Sequence, residues 1–333
     1  MRLVNVRTFF VAAIVSVSGS LFANAQSFPP ALISPIQTSQ NYSFDQSPSV
    51  VTDPSGVNPY LYMAYGSTTS NDYLYVGTSV DGLNWTDHAQ TTLKKGFSPA
   101  MTFYNGTAWV AYVSDGQGGL INGALYLISV PNLGVSGHTS AYLVTSNGSP
   151  MYPTNSPTAA VFNGQLWINM IDSYGNVLTF ATTNGYSFST VGGCGSADPA
   201  GYFAQPSAAV GMVAFNNQMY YAYQTTSGNL VRVCSVDGSG NITYSTPSVY
   251  PAGSGISATV YAGYLTLSYK DNTGGNHVIV EGTTDGVNYN GEDYAFSMNG
   301  SNQINPSAAP YNNALYMVIT GNSSNHHQWT THN

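Results

Sequence analysis

The chain has 333 residues, only 6% of which are charged, and it contains 26 tyrosines. Fourteen acidic residues outnumber six basic ones, which gives a formal net charge of −8 at pH 7. This balance excludes nucleic acid as a partner, because an acidic surface repels phosphate backbones and no basic stripe is present to release counterions.

The first residues have the pattern of a secretory signal peptide. Two arginines precede an apolar run from Thr8 through Val17, and Ala23-Asn24-Ala25 precedes Gln26. The apolar run is too short to span a bilayer, and the Ala-x-Ala sequence predicts cleavage near Ala25-Gln26. We therefore expect residues 1–25 to be removed and residues 26–333 to form one secreted or periplasmic domain with no membrane span. The mature chain keeps four basic residues against fourteen acidic ones, a formal charge of about −10.

A cassette then returns six times: a polar residue and usually Pro, a small residue and an apolar strand, an Asn-Gly-like turn, and an aromatic strand. The copies begin at Ser47-Pro48-Ser49, Ser98-Pro99-Ala100, Ser156-Pro157-Thr158, Gln205-Pro206-Ser207, Gly255-Ile256-Ser257 and Asn305-Pro306-Ser307. Their second positions lie 51, 58, 49, 50 and 50 residues apart. Such a period of short strands is typical of a β-propeller. The sequence predicts an all-β, six-bladed β-propeller of four-stranded antiparallel blades.

The two ends of the mature chain are expected to complete one blade together. The last cassette ends at Asn333 after the strand His327-Gln328-Trp329-Thr330, so its fourth strand is missing at the C-terminal end. A β-like stretch, Ala31 to Thr38, precedes the first cassette. We expect this stretch to supply the missing outer strand and close the ring, which removes exposed sheet edges.

Two features of the interior follow from residue type. The second strands are apolar or aromatic on both faces, so we expect their Tyr and Trp residues to pack between stacked blades rather than to hold a ligand. Cys194 and Cys234 form either one disulfide that closes a loop of about 40 residues or two buried thiols. Two cysteines and scattered histidines have no metal-ligand spacing, so we predict no metal site and no cofactor.

Four turns between third and fourth strands share a pattern. They read Thr78-Ser79-Val80-Asp81-Gly82-Leu83-Asn84-Trp85, Thr182-Thr183-Asn184-Gly185-Tyr186-Ser187-Phe188, Ser235-Val236-Asp237-Gly238 and Thr283-Thr284-Asp285-Gly286-Val287-Asn288-Tyr289. The pattern resembles the Asp-box (BNR repeat) of sialidase-like β-propellers, most closely in the first copy. The resemblance implies a folding device on the face opposite the active site, in which the Asp caps the turn and the aromatic packs under the blade. It implies structural roles for Asp81, Trp85, Asp237 and Asp285.

The resemblance does not extend to the sialidase reaction. A functional sialidase, as the resemblance implies, holds the substrate carboxylate with three arginines. It uses a Tyr paired with an acid as nucleophile and an Asp as acid/base. The mature chain has one arginine, Arg232, in a predicted third strand away from the axis. A lysine cannot replace the bidentate arginine clamp, so we expect no sialic acid hydrolysis.

The loops that enter the first strands and those that join second to third strands are expected to meet on one face around the channel, where small-molecule sites gather. The candidate catalytic residues there, two of which could act as acid and base in glycoside hydrolysis, are Asp45, Asp115, Asp172 and Asp271. The candidate ligand-binding residues are Gln46, Asn155, Gln205, Gln224, Lys270, Asn305 and Asn322. Asp, Asn and Ser also favour tight turns for conformational reasons, so a structural role stays open for each. The long second repeat, with its segment Pro131 to Pro153, is expected to form a rim over the mouth of the channel on this face.

Three functions remain open from the sequence. The leading hypothesis is a secreted, lectin-like protein that binds a glycan or polysaccharide, because a neutral surface rich in Tyr and Asn suits the CH faces and hydroxyls of sugars. The alternatives are a glycoside hydrolase that acts on a neutral or weakly acidic polysaccharide with paired Asp residues, and an envelope or adhesion scaffold that binds protein. Secreted all-β proteins commonly share this composition, so composition alone does not choose among them.

Overall fold

The computed structural model describes residues 28–32, 36–37, 48–56, 59–66, 73–94, 99–130, 141–195, 198–205, 208–246, 251–272, 277–295, 306–320 and 328–333. These residues form β-strands joined by tight turns, with one 3₁₀ turn at Gln117–Gly119. No helix in these ranges has the length and apolar character needed to cross a membrane.

Most strands belong to four-stranded sheets, which we number by the chain order of their first strands. The first described strand is β1 (Ile36–Gln37), which belongs to the last sheet. Sheet 1 contains β2 (Ser49–Thr52), β3 (Leu61–Gly66), β4 (Tyr73–Ser79) and β5 (Trp85–Lys94). Sheet 2 contains β6 (Ala100–Tyr104), β7 (Thr107–Val113), β8 (Leu125–Val130) and β9 (Tyr142–Leu143). A small hairpin of β10 (Thr145–Ser146) and β11 (Ser149–Pro150) follows.

The remaining sheets repeat this order. Sheet 3 contains β12 (Thr158–Phe162), β13 (Gln165–Ile171), β14 (Val177–Thr182) and β15 (Ser189–Gly195). Sheet 4 contains β16 (Gly211–Phe215), β17 (Gln218–Gln224), β18 (Val231–Asp237) and β19 (Ile242–Ser245). Sheet 5 contains β20 (Ser257–Tyr261), β21 (Tyr264–Lys270), β22 (His277–Thr283) and β23 (Asn290–Ala295). Sheet 6 contains β24 (Ser307–Tyr311), β25 (Ala314–Thr320), β26 (Gln328–Thr331) and, as its fourth strand, β1.

Tight hairpins produce this regularity. The predicted Asn-Gly turns between first and second strands have positive φ at both central residues, as at Asn105 (φ 50°) and Gly106 (φ 71°). This backbone twist matches the right-handed twist of antiparallel strands. The pairing in sheet 3 accordingly runs in register from Thr158 opposite Asn169 to Phe162 opposite Gln165.

The sheets pack face to face around an axis. Their first strands contact one another in the order β2, β6, β12, β16, β20 and β24, and β24 contacts β2. Hydrophobic clusters lie between successive sheets, including one in which Tyr311 and Val318 of sheet 6 meet Val50 and Trp85 of sheet 1. Both faces of the sheets are therefore buried, as the apolar second strands predict. The chain folds as an all-β propeller with four-stranded antiparallel blades.

The cassette serine connects neighbouring sheets near the axis. Its hydroxyl accepts a backbone N–H from the first strand of the following sheet in three described places: Ser49 Oγ from Met101 (2.9 Å), Ser257 Oγ from Ala308 (3.2 Å) and Ser307 Oγ from Val50 (2.9 Å). The small residue at the third position of the cassette therefore has a packing role in these copies, because its hydroxyl satisfies a backbone donor that faces the neighbouring sheet.

The N-terminal residues pack beside the last two sheets. Ile36 pairs with Thr330, and Gln37 pairs with Trp329, so β1 is the outer strand of sheet 6. Ahead of it, the ring of Phe28 stacks on Tyr264 of sheet 5 with centroids 4.5 Å apart. The position of β1 agrees with the outer strand that the sequence predicts from Ala31 to Thr38.

Candidate functional site

A channel lies between the first strands of the sheets. It is a cavity of about 380 Å³ whose wall contains residues of β2, β6, β12, β16, β20 and β24. The described wall residues are apolar or carry hydroxyls, and none of them is titratable. This part of the channel therefore offers hydroxyl and backbone groups to a ligand, but no general acid or base.

Strand direction places the predicted site residues on one face. Because the strands of each sheet alternate in direction, the loops that enter first strands and those that join second to third strands leave the same side of the propeller. We call this side the open face. The turns that join first to second strands and third to fourth strands lie on the opposite face.

Asp172 follows β13 on the open face and stabilises its own turn. Its Oδ1 accepts the N–H groups of Tyr174 at 2.8 Å and Asn176 at 2.9 Å, and its Oδ2 accepts the side-chain amide of Asn176 at 2.7 Å. Three local hydrogen bonds occupy both oxygens, which makes this carboxylate a turn cap.

The two other described candidate carboxylates lie on the loops of different sheets. Asp115 follows β7, is half-buried, and accepts the N–H of Gln117 at 3.0 Å. Asp271 follows β21 in sheet 5, is only 3% exposed, and pairs through its backbone with Ala252. The three described candidate carboxylates thus lie on loops of sheets 2, 3 and 5.

Two predicted ligand-binding amides connect neighbouring sheets. Asn155 is buried before β12, where its Nδ2 donates to the carbonyl of Ala208 at 2.7 Å and its Oδ1 accepts the N–H of Ile171 at 3.2 Å. Gln224 is buried at the end of β17, and its Nε2 donates to the carbonyl of Ala252 at 2.6 Å. These amides satisfy backbone groups of the neighbouring sheets, as buried polar side chains must.

Gln205 and Lys270 are half-buried on the open face. The N–H of Gln205 donates to the carbonyl of Gln224 at 2.7 Å. The N–H of Lys270 donates to Oγ of Ser254 at 3.2 Å, and its carbonyl accepts the N–H of Gly253 at 2.8 Å. The backbone groups of both residues thus bond the loops that lie near the ends of second strands. The remaining candidates, Asp45, Gln46, Asn305 and Asn322, lie outside the described residues.

Exposed aromatic side chains are an unpredicted feature of the open face. Tyr174 is 81% exposed, Tyr152 is 51% exposed and Phe203 is 45% exposed. The sequence predicted buried tyrosines in the second strands and a surface rich in Tyr, but it did not indicate which tyrosines are exposed. The sequence signal that separates Tyr174 from a core tyrosine is its position inside a turn, between Ser173 and Gly175, rather than inside a strand.

Solved structures share this fold over most of the chain. An α-L-arabinofuranosidase from Fusarium graminearum superposes with a TM-score of 0.61 and 12% identity, covering 90% of this chain and 97% of the other. The sialidase of Trypanosoma rangeli has a TM-score of 0.58 and 12% identity, covering 90% of this chain and 56% of the other. A neuraminidase-like protein of A/little yellow-shouldered bat/Guatemala has a TM-score of 0.54 and 10% identity over 90% and 96%. The chain has the sialidase-like β-propeller fold.

No protein-family model matches the chain, and neither does any curated protein. Because the identities to these solved structures are so low, they describe the backbone of this sialidase-like propeller and leave its chemistry to its own residues. Among the residues that the structure describes, no three His, Cys, Asp or Glu side chains come together in a way that could hold a metal ion.

The turn at Asp81 has the local contacts that its sequence predicts for a sialidase-like propeller. Oδ1 of Asp81 accepts the N–H groups of Leu83 and Asn84, both at 2.8 Å. The buried Trp85 donates from Nε1 to the carbonyl of Gly82 at 3.0 Å. Burial alone would raise the pKa of Asp81, but the hydrogen bonds from Asn84 and Leu83 outweigh burial and lower the pKa from 3.8 to about 2.

The other predicted turns divide into two kinds. Asp285 and Asn184 make the same pair of Oδ1 contacts to the second and third N–H groups that follow them. Asp237 instead accepts the N–H groups of Ser239 and Asn241, the arrangement also found at Asp172 on the open face. All of these side chains cap their own turns.

Arg232 is the one arginine of the expected mature chain, and it is bound within the protein. Its guanidinium donates to both carboxylate oxygens of Asp198 and to Oγ1 of Thr246. It also lies over the rings of Tyr202 and Tyr244, 5.6 Å and 5.4 Å from their centroids. Burial would raise the pKa of Asp198, but its hydrogen bond with Arg232 lowers it. Arg232, which lies in β18 and away from the channel, therefore binds Asp198.

Proposed function

We propose that the protein is a secreted, six-bladed propeller that binds carbohydrate through its open face, as a lectin does. The observation that carries this proposal is the state of the described carboxylates. Asp172 is a turn cap, Asp271 is buried, and the described channel wall holds no titratable group. Hydrolysis needs an acid and a second carboxylate on either side of one glycosidic bond. Binding needs only hydrogen-bonding groups and aromatic faces, which this face has.

The blade count rests on the sheets and their contacts. The described residues form six four-stranded sheets whose first strands contact one another in a cycle. The pairing of β1 with β26 supports closure by the N-terminal strand. We propose that sheets 1 to 6 are the blades of this ring.

Secretion rests on the sequence. The basic start, short apolar run and Ala23-Asn24-Ala25 exit support removal of residues 1–25. Cys194 and Cys234 form a disulfide between β15 and β18, with Cα atoms 6.0 Å apart. Disulfides persist in oxidising compartments, so this bond supports a secreted or periplasmic location.

The fold relatives support a sugar as the ligand. The Fusarium protein is named as an α-L-arabinofuranosidase and was solved with an iminosugar inhibitor, and the Trypanosoma sialidase was solved with 2,3-difluorosialic acid. One propeller architecture thus accommodates different sugars. Function on a shared fold belongs to the site, so the ligand of this chain must be established directly.

Binding of the purified mature protein to a glycan array and to immobilised polysaccharides tests the proposal. We expect retention on at least one glycan without release of reducing sugar. Retention on no glycan, together with binding to protein that survives glycan competition, would favour the adhesion scaffold.

A hydrolysis assay on the retained polysaccharide separates the lectin from the enzyme. Release of reducing sugar would contradict the lectin proposal, and Asp→Asn variants of Asp45, Asp115, Asp172 and Asp271 would then identify the catalytic pair. Loss of turnover in two of the four variants is the result that a glycoside hydrolase requires.

A further inference from the structure

Three exposed aromatic residues lie on consecutive loops of the open face. Tyr152 lies on the segment that enters sheet 3, Tyr174 on the turn between β13 and β14, and Phe203 on the segment that enters sheet 4. Monomeric proteins commonly expose single apolar side chains, so exposure alone carries no function. The contacts that connect these loops are the informative feature.

The loops form a continuous series along the rim. Thr154, two residues after Tyr152, donates from its N–H to the carbonyl of Ile171 at 3.0 Å and from Oγ1 to the carbonyl of Asp172 at 3.3 Å. Tyr174 follows in the turn that Asp172 caps. A Cβ added at Gly175 would lie 3.6 Å from Cβ of Phe203, which places the next loop directly against this turn. Tyr152, Tyr174 and Phe203, which we call the aromatic rim, are therefore carried by touching loops.

Each loop of the aromatic rim is held in place before any ligand arrives. Asp172 accepts the N–H of Tyr174 at 2.8 Å, and the carbonyl of Phe203 accepts the N–H of Thr226 at 3.0 Å. Next to Tyr152, the carbonyl of Met151 accepts the N–H of Leu125 at 2.9 Å. Preformed loops reduce the entropy that binding would otherwise cost.

The polar surroundings select the kind of ligand. The loop segments 114–124, 150–156, 172–176, 198–205 and 225–230 contain no Lys or Arg. They contain Asp115, Asp172 and Asp198, and Asp198 is paired with Arg232 of β18. An anionic chain would therefore meet like charge on these segments, and the cation beside them, Arg232, is already bound to Asp198. Exposed hydroxyl and amide residues, such as Ser173 and Thr226, border the rings and supply partners for sugar hydroxyls.

We propose that the aromatic rim is a binding platform for an extended neutral polysaccharide, whose sugar rings stack through their CH faces on Tyr152, Tyr174 and Phe203. Aromatic rings offer large rigid contact area at low entropic cost, and three rings on successive loops match a ligand with repeating units. The inference rests on the proposed carbohydrate-binding function and names the substrate class and the residues. In it, Asp172 is a positioning residue that fixes the turn of Tyr174.

Alanine variants of the aromatic rim test the platform. Affinity electrophoresis through gels containing arabinan, xylan, galactomannan or mixed-linkage β-glucan would be compared for the wild type and for Tyr152→Ala, Tyr174→Ala, Phe203→Ala and the triple variant. We expect each single variant to weaken binding to the retained polysaccharide by about tenfold, and the triple variant to abolish it. Tyr174→Phe keeps the ring and should bind like the wild type.

Tyr186→Ala is the matched control. Tyr186 is a 59% exposed tyrosine that belongs to sheet 3, as Tyr174 does, but lies on the opposite face of the propeller. We expect this variant to keep full binding, and unchanged melting curves to show that all variants fold. Wild-type retention on polygalacturonate that exceeds retention on every neutral polysaccharide would overturn the neutral ligand class.

The outcomes separate this inference from the proposed function. If the wild type binds a polysaccharide and the triple variant binds it equally well, the platform is wrong and carbohydrate binding stands. If the wild type binds none of the glycans, both are wrong. Self-association of the wild type that the triple variant abolishes, without polysaccharide binding, would also overturn the platform, in favour of a protein contact.

Discussion

Single turn residues determine whether each hairpin closes without strain. In sheets 2 to 6, the two-residue turns between first and second strands have positive φ at both residues, and all of these positions except one are asparagine or glycine. Ala262 is the exception, since it adopts φ 49° in the turn between β20 and β21. Its Cβ crowds the backbone in this left-handed conformation, whereas asparagine tolerates it. Asn163 has the same φ of 49° in the matching turn of sheet 3.

Replacing Ala262 by Asn should therefore stabilise the protein. We expect Ala262→Asn to raise the free energy of unfolding by about 1 kcal/mol, because the side chain is exposed and only the turn conformation changes. Denaturant unfolding measures the change. The matched control, Asn163→Ala, should lower the free energy of unfolding by a similar amount. A lower denaturation midpoint for Ala262→Asn would contradict this account of the turn.

At the scale of the element, contacts between sheets supplement the hydrogen bonds within them. Trp109 of β7 lies so close to Gly185 of sheet 3 that a Cβ there would be 2.1 Å from its ring. A Cβ at Gly286 of sheet 5 would be 2.2 Å from the hydroxyl oxygen of Tyr220 of β17. These two turn glycines, Gly185 and Gly286, therefore also make room for an aromatic side chain from the preceding sheet. Sequence reasoning assigned them only a turn conformation.

The disulfide is the covalent contact between sheets 3 and 4. Closing a loop of 40 residues restricts the unfolded chain, so the double variant Cys194→Ala/Cys234→Ala should lower the free energy of unfolding by up to about 4 kcal/mol. Thermal unfolding with and without reductant measures this. The wild type should lose stability on reduction, and the double variant should not respond. A wild-type protein whose melting temperature ignores complete reduction would contradict a stabilising role.

At the scale of the whole molecule, the N-terminal segment joins the last two sheets. Phe28 and Leu32 pack against the cluster between sheets 5 and 6, and β1 pairs with β26. Without this segment, β26 would present an unpaired edge, and the cluster would lose part of its cover.

Removal of residues 26–42 should therefore lower the melting temperature sharply, by about 5 °C or more, and promote aggregation. Phe28→Ala, which leaves β1 in place, should have a smaller effect because it removes only one stacked ring. Differential scanning calorimetry with light scattering measures both quantities. An unchanged melting temperature after the deletion would show that closure of the propeller does not depend on this strand.

The architecture was predictable because its determinants are local. The repeats recur about every 50 residues, their turn residues accept positive φ, and their strands are apolar on both faces. Each of these features depends on residues within one repeat, so the sequence shows it directly. The same holds for the contacts of Asp81, whose partners are its immediate neighbours. These features determine the propeller, its four-stranded blades and the role of that turn.

Tertiary structure alone decided what depends on residues far apart in sequence. Asn155 and Gln224 are residue types common in binding sites, but each donates to a backbone carbonyl of the segment that enters the next sheet. Glu281 is buried in β22, where it accepts the hydroxyl of Tyr269 from the neighbouring strand at 2.9 Å. Tyr174 lies in a turn and Tyr221 in a second strand, which the sequence indicates, but the neighbouring sheets decide that Tyr221 is fully enclosed and that Tyr174 is 81% exposed beside Phe203. Side-chain chemistry is local, whereas burial and partnership belong to neighbours that folding brings together.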